Sequence, residues 1–112
     1  MKNYTLKWLA QRITALILIP LTFWFIYSSI SLSKMDYVET ILFFQSYTNS
    51  SLFYVMMIAM LFHAKLGFQT IIDDYVTSKK IYNFIKWVIN LTSYFLMILL
   101  TFFIIKTAIF NV

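Results

Sequence analysis

Residues 61–76 of the chain read LFHAKLGFQTIIDDYV and hold its only histidine and its only glycine. The stretch begins inside a long apolar segment and ends with two acids and a tyrosine, where the chain turns from apolar to charged. A histidine within a membrane-spanning helix is energetically costly, so it needs a partner there. We therefore expect most of the chemistry of the chain to lie in this stretch.

The composition of the whole chain places that stretch in a membrane. Of the 112 residues, 62% are hydrophobic and 12% are charged, which leaves too little polar surface for a soluble globule. Three segments have the length of about 20 predominantly apolar residues that a spanning helix needs. The sequence predicts an all-α membrane protein with one domain, residues 1–112, and three transmembrane helices over about residues 9–32, 51–75 and 84–110.

The same composition excludes several kinds of chemistry. The chain has no cysteine, which rules out disulfides, thiolate catalysis and thiolate-held metal clusters. Its net charge of +5 comes from cations at the ends of apolar segments, where lipid head groups account for them. We therefore predict the lipid membrane as a partner and no nucleic acid.

Polar residues between and within the predicted spans indicate further contacts. The loop over residues 33–50 has a pattern typical of a short amphipathic helix lying in the membrane interface. In the third span, we expect Asn90, Thr92 and Ser93 to make hydrogen bonds to other helices.

The distribution of cations predicts the orientation of the chain. Six cations lie before or within the first span and around the second loop, against one in the first loop, Lys34, and one in the tail, Lys106. The six are Lys2, Lys7, Arg12, Lys79, Lys80 and Lys86. The positive-inside rule then places the amino terminus and second loop in the cytoplasm and the carboxy terminus outside. Because no Arg-rich, acid-poor transit peptide precedes the first span, a bacterial inner membrane is favoured over the mitochondrial one.

Helical spacing separates two depths in the second span. Asp74 follows His63 by eleven residues, almost a whole number of turns, so His63, Gly67, Thr70 and Asp74 share one stripe. At 1.5 Å per residue the acid lies about 16 Å along the axis from the histidine. His63 therefore belongs to the membrane interior and Asp74 to the cytoplasmic surface. Lys65 lies about 200° around the helix from His63, so we expect it to face another subunit or to snorkel.

Two interpretations of the histidine follow from the residues alone. Imidazole is a ligand of haem iron, and Gly67, one turn away, leaves space for a flat macrocycle. Alternatively, His63 is satisfied by a hydrogen bond across the bundle, and Gly67 allows close helix packing.

The residues at the cytoplasmic surface also have two interpretations each. Arg12 is either an orientation anchor that snorkels to the head groups or a partner for an anionic ligand. Tyr75 and Asp74 are either an aromatic-belt anchor and a solvated helix end, or a quinone hydrogen-bond donor and a proton relay.

The whole pattern resembles the smaller hydrophobic membrane-anchor subunit of succinate dehydrogenase, respiratory complex II. The resemblance is carried by QRITA at 11–15, by His63-Ala64-x-x-Gly67 and by DYV at 74–76. It implies that His63 is an axial ligand of haem b and that Tyr75 hydrogen-bonds ubiquinone, with Asp74 beside that site. It also implies that Arg12 lies near the haem propionates or the quinone pocket. Lys65 departs from the apolar or aromatic residue that the family pattern leads us to expect.

The resemblance implies three partner subunits: a flavoprotein, an iron–sulfur protein and a companion cytochrome b anchor that completes the helical bundle and supplies the second haem ligand. Succinate oxidation would belong to the flavoprotein, because this chain has no flavin motif. Its own part would be to dock the soluble subunits and help form the haem b and ubiquinone sites.

A cofactor-free small membrane protein, either a structural anchor or a small transporter, is the alternative. A small multidrug-type transporter should carry an essential acid within its first helix. All four acids of this chain lie instead in loops or at helix ends.

Single cysteines can test the predicted orientation, because the chain has none of its own. In sealed right-side-out vesicles, a membrane-impermeant maleimide should label Ser33→Cys directly. It should label Ser78→Cys only after the membrane is opened. The reverse labelling pattern would contradict the orientation.

Overall fold

A computed structural model describes residues 4–110. Within that range the chain is helical and has no strand; its helices are α1 (Tyr4–Leu32), α2 (Tyr37–Gln45), α3 (Tyr47–Tyr75) and α4 (Lys79–Ile104), with a π-helical turn at Ile105–Ile109. Three of these helices, α1, α3 and α4, are long and apolar enough to cross a membrane. The prediction of an all-α membrane protein with three transmembrane helices is confirmed. Lys2, one of the six cations used for orientation, lies outside the described residues.

Side-chain caps explain why α2 and α3 begin where they do. Asp36 accepts a hydrogen bond from the backbone N–H of Glu39 at 2.8 Å, which satisfies a free donor at the start of α2. Ser46 ends α2 and also caps α3, where its hydroxyl accepts from the N–H of Asn49. A single residue thus joins the two helices.

Aromatic side chains hold α2 against the spanning helices. Phe43 stacks on Trp24 of α1 with ring centroids 6.4 Å apart. Phe44 meets Phe53 of α3 edge to face at 5.2 Å, a geometry that aromatic pairs favour. The short helix predicted in this loop is therefore present, packed on α1 and α3.

Helix α3 is central, since it packs against α1 on one side and α4 on the other. Few apolar side chains are buried in the part of the chain that the structure describes; they are Met56, Ala59, Ile72 and Ala108. Large apolar residues such as Phe23, 71% exposed, and Phe95, 59% exposed, cover the outer faces of α1 and α4. In a membrane such faces contact lipid tails or another helix, so their exposure is not a cost.

Four side-chain hydrogen bonds join α3 to α4 along their length. From the charged end of α3 inward they are Tyr82 to Asp73 at 2.5 Å, Gln69 to Asn90 at 3.2 Å, Lys65 to Tyr94 at 3.1 Å and Tyr54 with Thr101 at 2.9 Å. We call these pairs the α3–α4 ladder. The interhelical role predicted for Asn90 is confirmed. Ser93 is buried, whereas Thr92 is exposed and does not join the ladder.

The expectation that Lys65 faces another subunit or snorkels is wrong. Its ammonium donates to the Tyr94 hydroxyl and lies 4.5 Å from the centroid of the same ring. The reason is geometric: Lys65 lies about 200° from His63 on the helix, and α4 occupies that side of α3. The lysine is thus partnered within its own chain by a hydrogen bond and a cation–π contact.

The central ladder pair can be tested by a double-mutant cycle. Gln69→Leu should lower the free energy of unfolding in mixed micelles by about 1 kcal/mol, because Asn90 loses its partner in an apolar setting. Combining it with Asn90→Leu should cost less than the sum of the two single changes, by about 0.6 kcal/mol or more. Thr92→Val, at an exposed site, is the matched control. Strictly additive costs would show that the pair does not couple the helices.

Candidate functional site

His63 lies on the side of α3 that packs against α1, and its ring is hydrogen-bonded there. Its Nδ1 atom is 3.1 Å from the hydroxyl oxygen of Thr14. The Nε2 atom makes no hydrogen bond within residues 4–110, and the side chain is only partly buried. The predicted hydrogen bond across the bundle is therefore present, and it occupies one ring nitrogen. The other stays available, so the ligand interpretation is compatible with the same geometry.

Sequence reasoning did not identify Thr14 as the partner. Threonine is common in membrane helices, and its spacing from other residues of α1 carries no signal for histidine binding. Only the packing of α1 on α3 brings the two side chains to the same depth. Gln11, one turn earlier on α1, was missed for the same reason.

A cleft of about 400 Å³ opens between the start of α1 and the end of α3. The residues that line it are Lys7, Trp8, Gln11, Arg12, Leu66, Gly67, Thr70, Asp73 and Asp74. Two cations from α1 thus face two acids from α3 across a partly apolar wall. Three members of the predicted stripe, Gly67, Thr70 and Asp74, form part of the α3 wall, whereas His63 is not among the lining residues.

Gly67 is the point where α1 approaches α3 beside the cleft. A Cβ atom built at Gly67 would lie 3.4 Å from the Gln11 side-chain nitrogen. That is van der Waals contact with the flexible end of a side chain, not with backbone. The Oε1 atom of Gln11 is buried and has no hydrogen-bond partner within the described residues. The space beside Gly67 is therefore bounded by an amide that can move.

Arg12 and Tyr75 are placed differently with respect to the cleft. The exposed Arg12 lines it, with its guanidinium carbon 5.1 Å from the centroid of the Trp8 ring. Tyr75 is the last residue of α3, is 80% exposed, and is not among the lining residues. Of the predicted surface residues, the fold brings Arg12 and Asp74 together and leaves the Tyr75 side chain outside their cleft.

Comparison with known proteins identifies the family. The family model described as succinate dehydrogenase/fumarate reductase transmembrane subunit matches residues 2–105. The chain belongs to this family. A protein of Rickettsia bellii named succinate dehydrogenase hydrophobic membrane anchor subunit is 33% identical over 82 residues, which are 73% of this chain and 66% of that protein. A protein of the same name from Rickettsia prowazekii is 28% identical over 80% of this chain and 72% of its own length.

These matches cover a larger share of this chain than of the two relatives. The aligned stretch covers just under two thirds of the Rickettsia bellii protein. No solved structure matches the chain. The family and the membrane-anchor character of the chain are thus established from sequence, and the geometry of the site comes from the present structure.

Proposed function

We propose that the chain is the membrane-anchor subunit of a succinate dehydrogenase and that it contributes one axial ligand to haem b and part of a ubiquinone site. The observation that carries the proposal is the state of His63, which is fixed by Thr14 through one ring nitrogen and unbonded within residues 4–110 at the other. The family match supports the assignment to this complex. The cleft around Arg12 and Asp74 supports a second, polar site at the end of the helices.

The donor groups present fit haem rather than a metal ion held by this chain alone. No group of three or more His, Cys, Asp or Glu side chains in the described part of the chain is arranged to bind a metal ion. Haem iron needs only axial ligands from protein, because the macrocycle supplies the other four. His63 would give one of them and the companion cytochrome b anchor the other. When bound, the haem would supply one-electron redox chemistry.

The cations of the cleft would bind the carboxylates of such a group. Lys7 and Arg12 line the cleft from α1, and Asp73 and Asp74 line it from α3, so the anionic substituents would lie on the α1 side, where charge-assisted hydrogen bonds are available. Arg12, held over the Trp8 ring, would hydrogen-bond the haem propionates or border the quinone pocket. The space beside Gly67 is limited only by the flexible Gln11 amide.

The end of α3 fits a quinone site. The Tyr75 hydroxyl can donate a hydrogen bond to a quinone carbonyl, and its exposure leaves it free to meet a ligand held partly by other subunits. Asp74 lies one position before it and lines the cleft, where a carboxylate can take up and release protons. Reduction of ubiquinone consumes two protons, which this rim would help to deliver.

The same rim would dock the soluble subunits. We propose that the flavoprotein and iron–sulfur subunits bind at the end of the bundle where α1 begins and α3 ends. In this arrangement the amino terminus is cytoplasmic, the carboxy terminus lies outside, and the complex resides in a bacterial inner membrane. The exposed apolar faces of the spanning helices would contact lipid and the companion anchor.

Replacing the histidine tests the haem assignment. In the purified complex, His63→Ala should abolish or strongly reduce the haem b absorption band, because the iron loses a ligand. Met60→Ala, one turn earlier on α3, is the matched control and should retain the band. An unchanged band in the His63→Ala complex would contradict the assignment of His63 as a haem ligand, whereas a wild-type complex without the band would favour the cofactor-free alternative.

Replacing the tyrosine tests the quinone assignment. Tyr75→Phe removes only the hydroxyl, so quinone reduction should fall by about tenfold or more, as expected for a lost hydrogen bond that acts in the reaction. Succinate oxidation with an artificial acceptor should survive. Tyr47→Phe, at the opposite end of α3, should leave both activities intact. Equal loss of both activities in the Tyr75→Phe complex would indicate failed assembly instead.

A further inference from the structure

The hydroxyl of Thr14 lies within hydrogen-bond distance of three acceptor or donor atoms at once. Its Oγ1 is 2.9 Å from the carbonyl oxygen of Ala10 and 3.1 Å from that of Gln11. It is also 3.1 Å from Nδ1 of His63. The first two partners belong to the backbone of α1, the third to the ring on α3.

The number of protons decides how these contacts are made. A threonine hydroxyl has one proton to donate and two lone pairs to accept with, whereas a carbonyl oxygen can only accept. If the proton pointed at Nδ1, the hydroxyl oxygen would face two carbonyl oxygens at about hydrogen-bond distance with no hydrogen between them. The favourable arrangement is a hydroxyl that donates to a carbonyl of its own helix, as is common for threonine in helices. Its lone pair then meets Nδ1, which must carry the hydrogen.

We propose that Thr14 is a positioning residue that fixes His63 as the Nδ1–H tautomer. In that tautomer Nε2 has no proton and presents its lone pair. Metal ions bind imidazole through such a lone pair, and the hydrogen bond made by the other nitrogen selects which one is available. This role of Thr14 rests on the proposed haem-binding function. Thr14 would select Nε2 as the ring nitrogen that is free to bind the iron.

The geometry also fixes the orientation of the ring. Thr14 has a branched side chain with few rotamers in a helix, and its hydroxyl is tied to the backbone of α1. A ring hydrogen-bonded to it keeps its plane fixed relative to α1. An imidazole that donates from Nδ1 to an acceptor is also a more basic ligand, which stabilises ferric over ferrous iron.

The chain has a single histidine, so its tautomer can be measured directly. The full chain, labelled with nitrogen-15 histidine and placed in lipid bilayers without haem, should give one pair of ring-nitrogen signals at a pH where imidazole is neutral. We expect a protonated Nδ1 and an unprotonated Nε2. The Nδ1–H tautomer should exceed the Nε2–H tautomer on the order of tenfold, which is the preference that one hydrogen bond in an apolar setting provides. Thr14→Val, which keeps the shape but loses the hydroxyl, should reduce that excess. Thr14→Ser should keep it.

Three results would overturn the proposal: a wild-type spectrum dominated by Nε2–H, a Thr14→Val spectrum equal to that of the wild type, or a Thr14→Ser spectrum equal to that of Thr14→Val. The wild-type spectrum is decisive even if the valine variant fails to insert. Thr22→Val, at an exposed site on the same helix, is the matched control and should change nothing.

A redox titration of haem b in the intact complex separates this proposal from the one on which it rests. Thr14→Val should raise the midpoint potential, and Thr14→Ser should leave it near the wild-type value. A wild-type complex without haem would refute the proposed haem-binding function. The tautomer of His63 would still be decided by the nitrogen-15 spectra. A haem with the same potential in all three complexes would refute the role of Thr14 in tuning the ligand.

Discussion

A polar side chain in the hydrocarbon region of a membrane must find its hydrogen-bond partner within the protein, since lipid tails offer none. This constraint organises the chain around α3. On one side His63 meets Thr14 of α1 at 3.1 Å. On the opposite side Gln69 meets Asn90, and Lys65 meets Tyr94, at 3.2 and 3.1 Å. Because lipid gives helices no hydrophobic driving force to associate, these pairs contribute to the rotation of α3 relative to both neighbours.

The two sides of α3 have different chemical consequences. The α3–α4 ladder pairs donors with acceptors inside the chain, including the one lysine in the middle of α3. The α1 side leaves groups unpaired within residues 4–110: Nε2 of His63, and Oε1 of Gln11. It also contains the cleft, with cations from α1 and acids from α3. Polar atoms without a hydrogen-bond partner in the described residues are thus concentrated where the proposed haem and quinone sites lie.

The sequence was sufficient to predict the parts that depend on one helix at a time. Apolar length predicted three spans, and a period of 3.6 residues placed Gly67, Thr70 and Asp74 on one face, which is the face that lines the cleft. The same period explains why Tyr75 lies outside the cleft, since each residue on a helix is rotated by about 100° from the one before it. The partners of Lys65 and His63 depend on which helix lies on each side of α3 and at what depth. That information resides in the packing of three helices, and no spacing within one of them contains it.

The central claim is that α3 holds His63 between α1 and a haem, with one ring nitrogen committed to each. A high-resolution cryo-electron microscopy map of the complete complex tests this most directly. We expect iron bonded to Nε2 of His63, a hydrogen bond between Nδ1 and the hydroxyl of Thr14, and Tyr94 still bound to Lys65. A map in which His63 lies away from any haem, with both ring nitrogens hydrogen-bonded to protein, would contradict it.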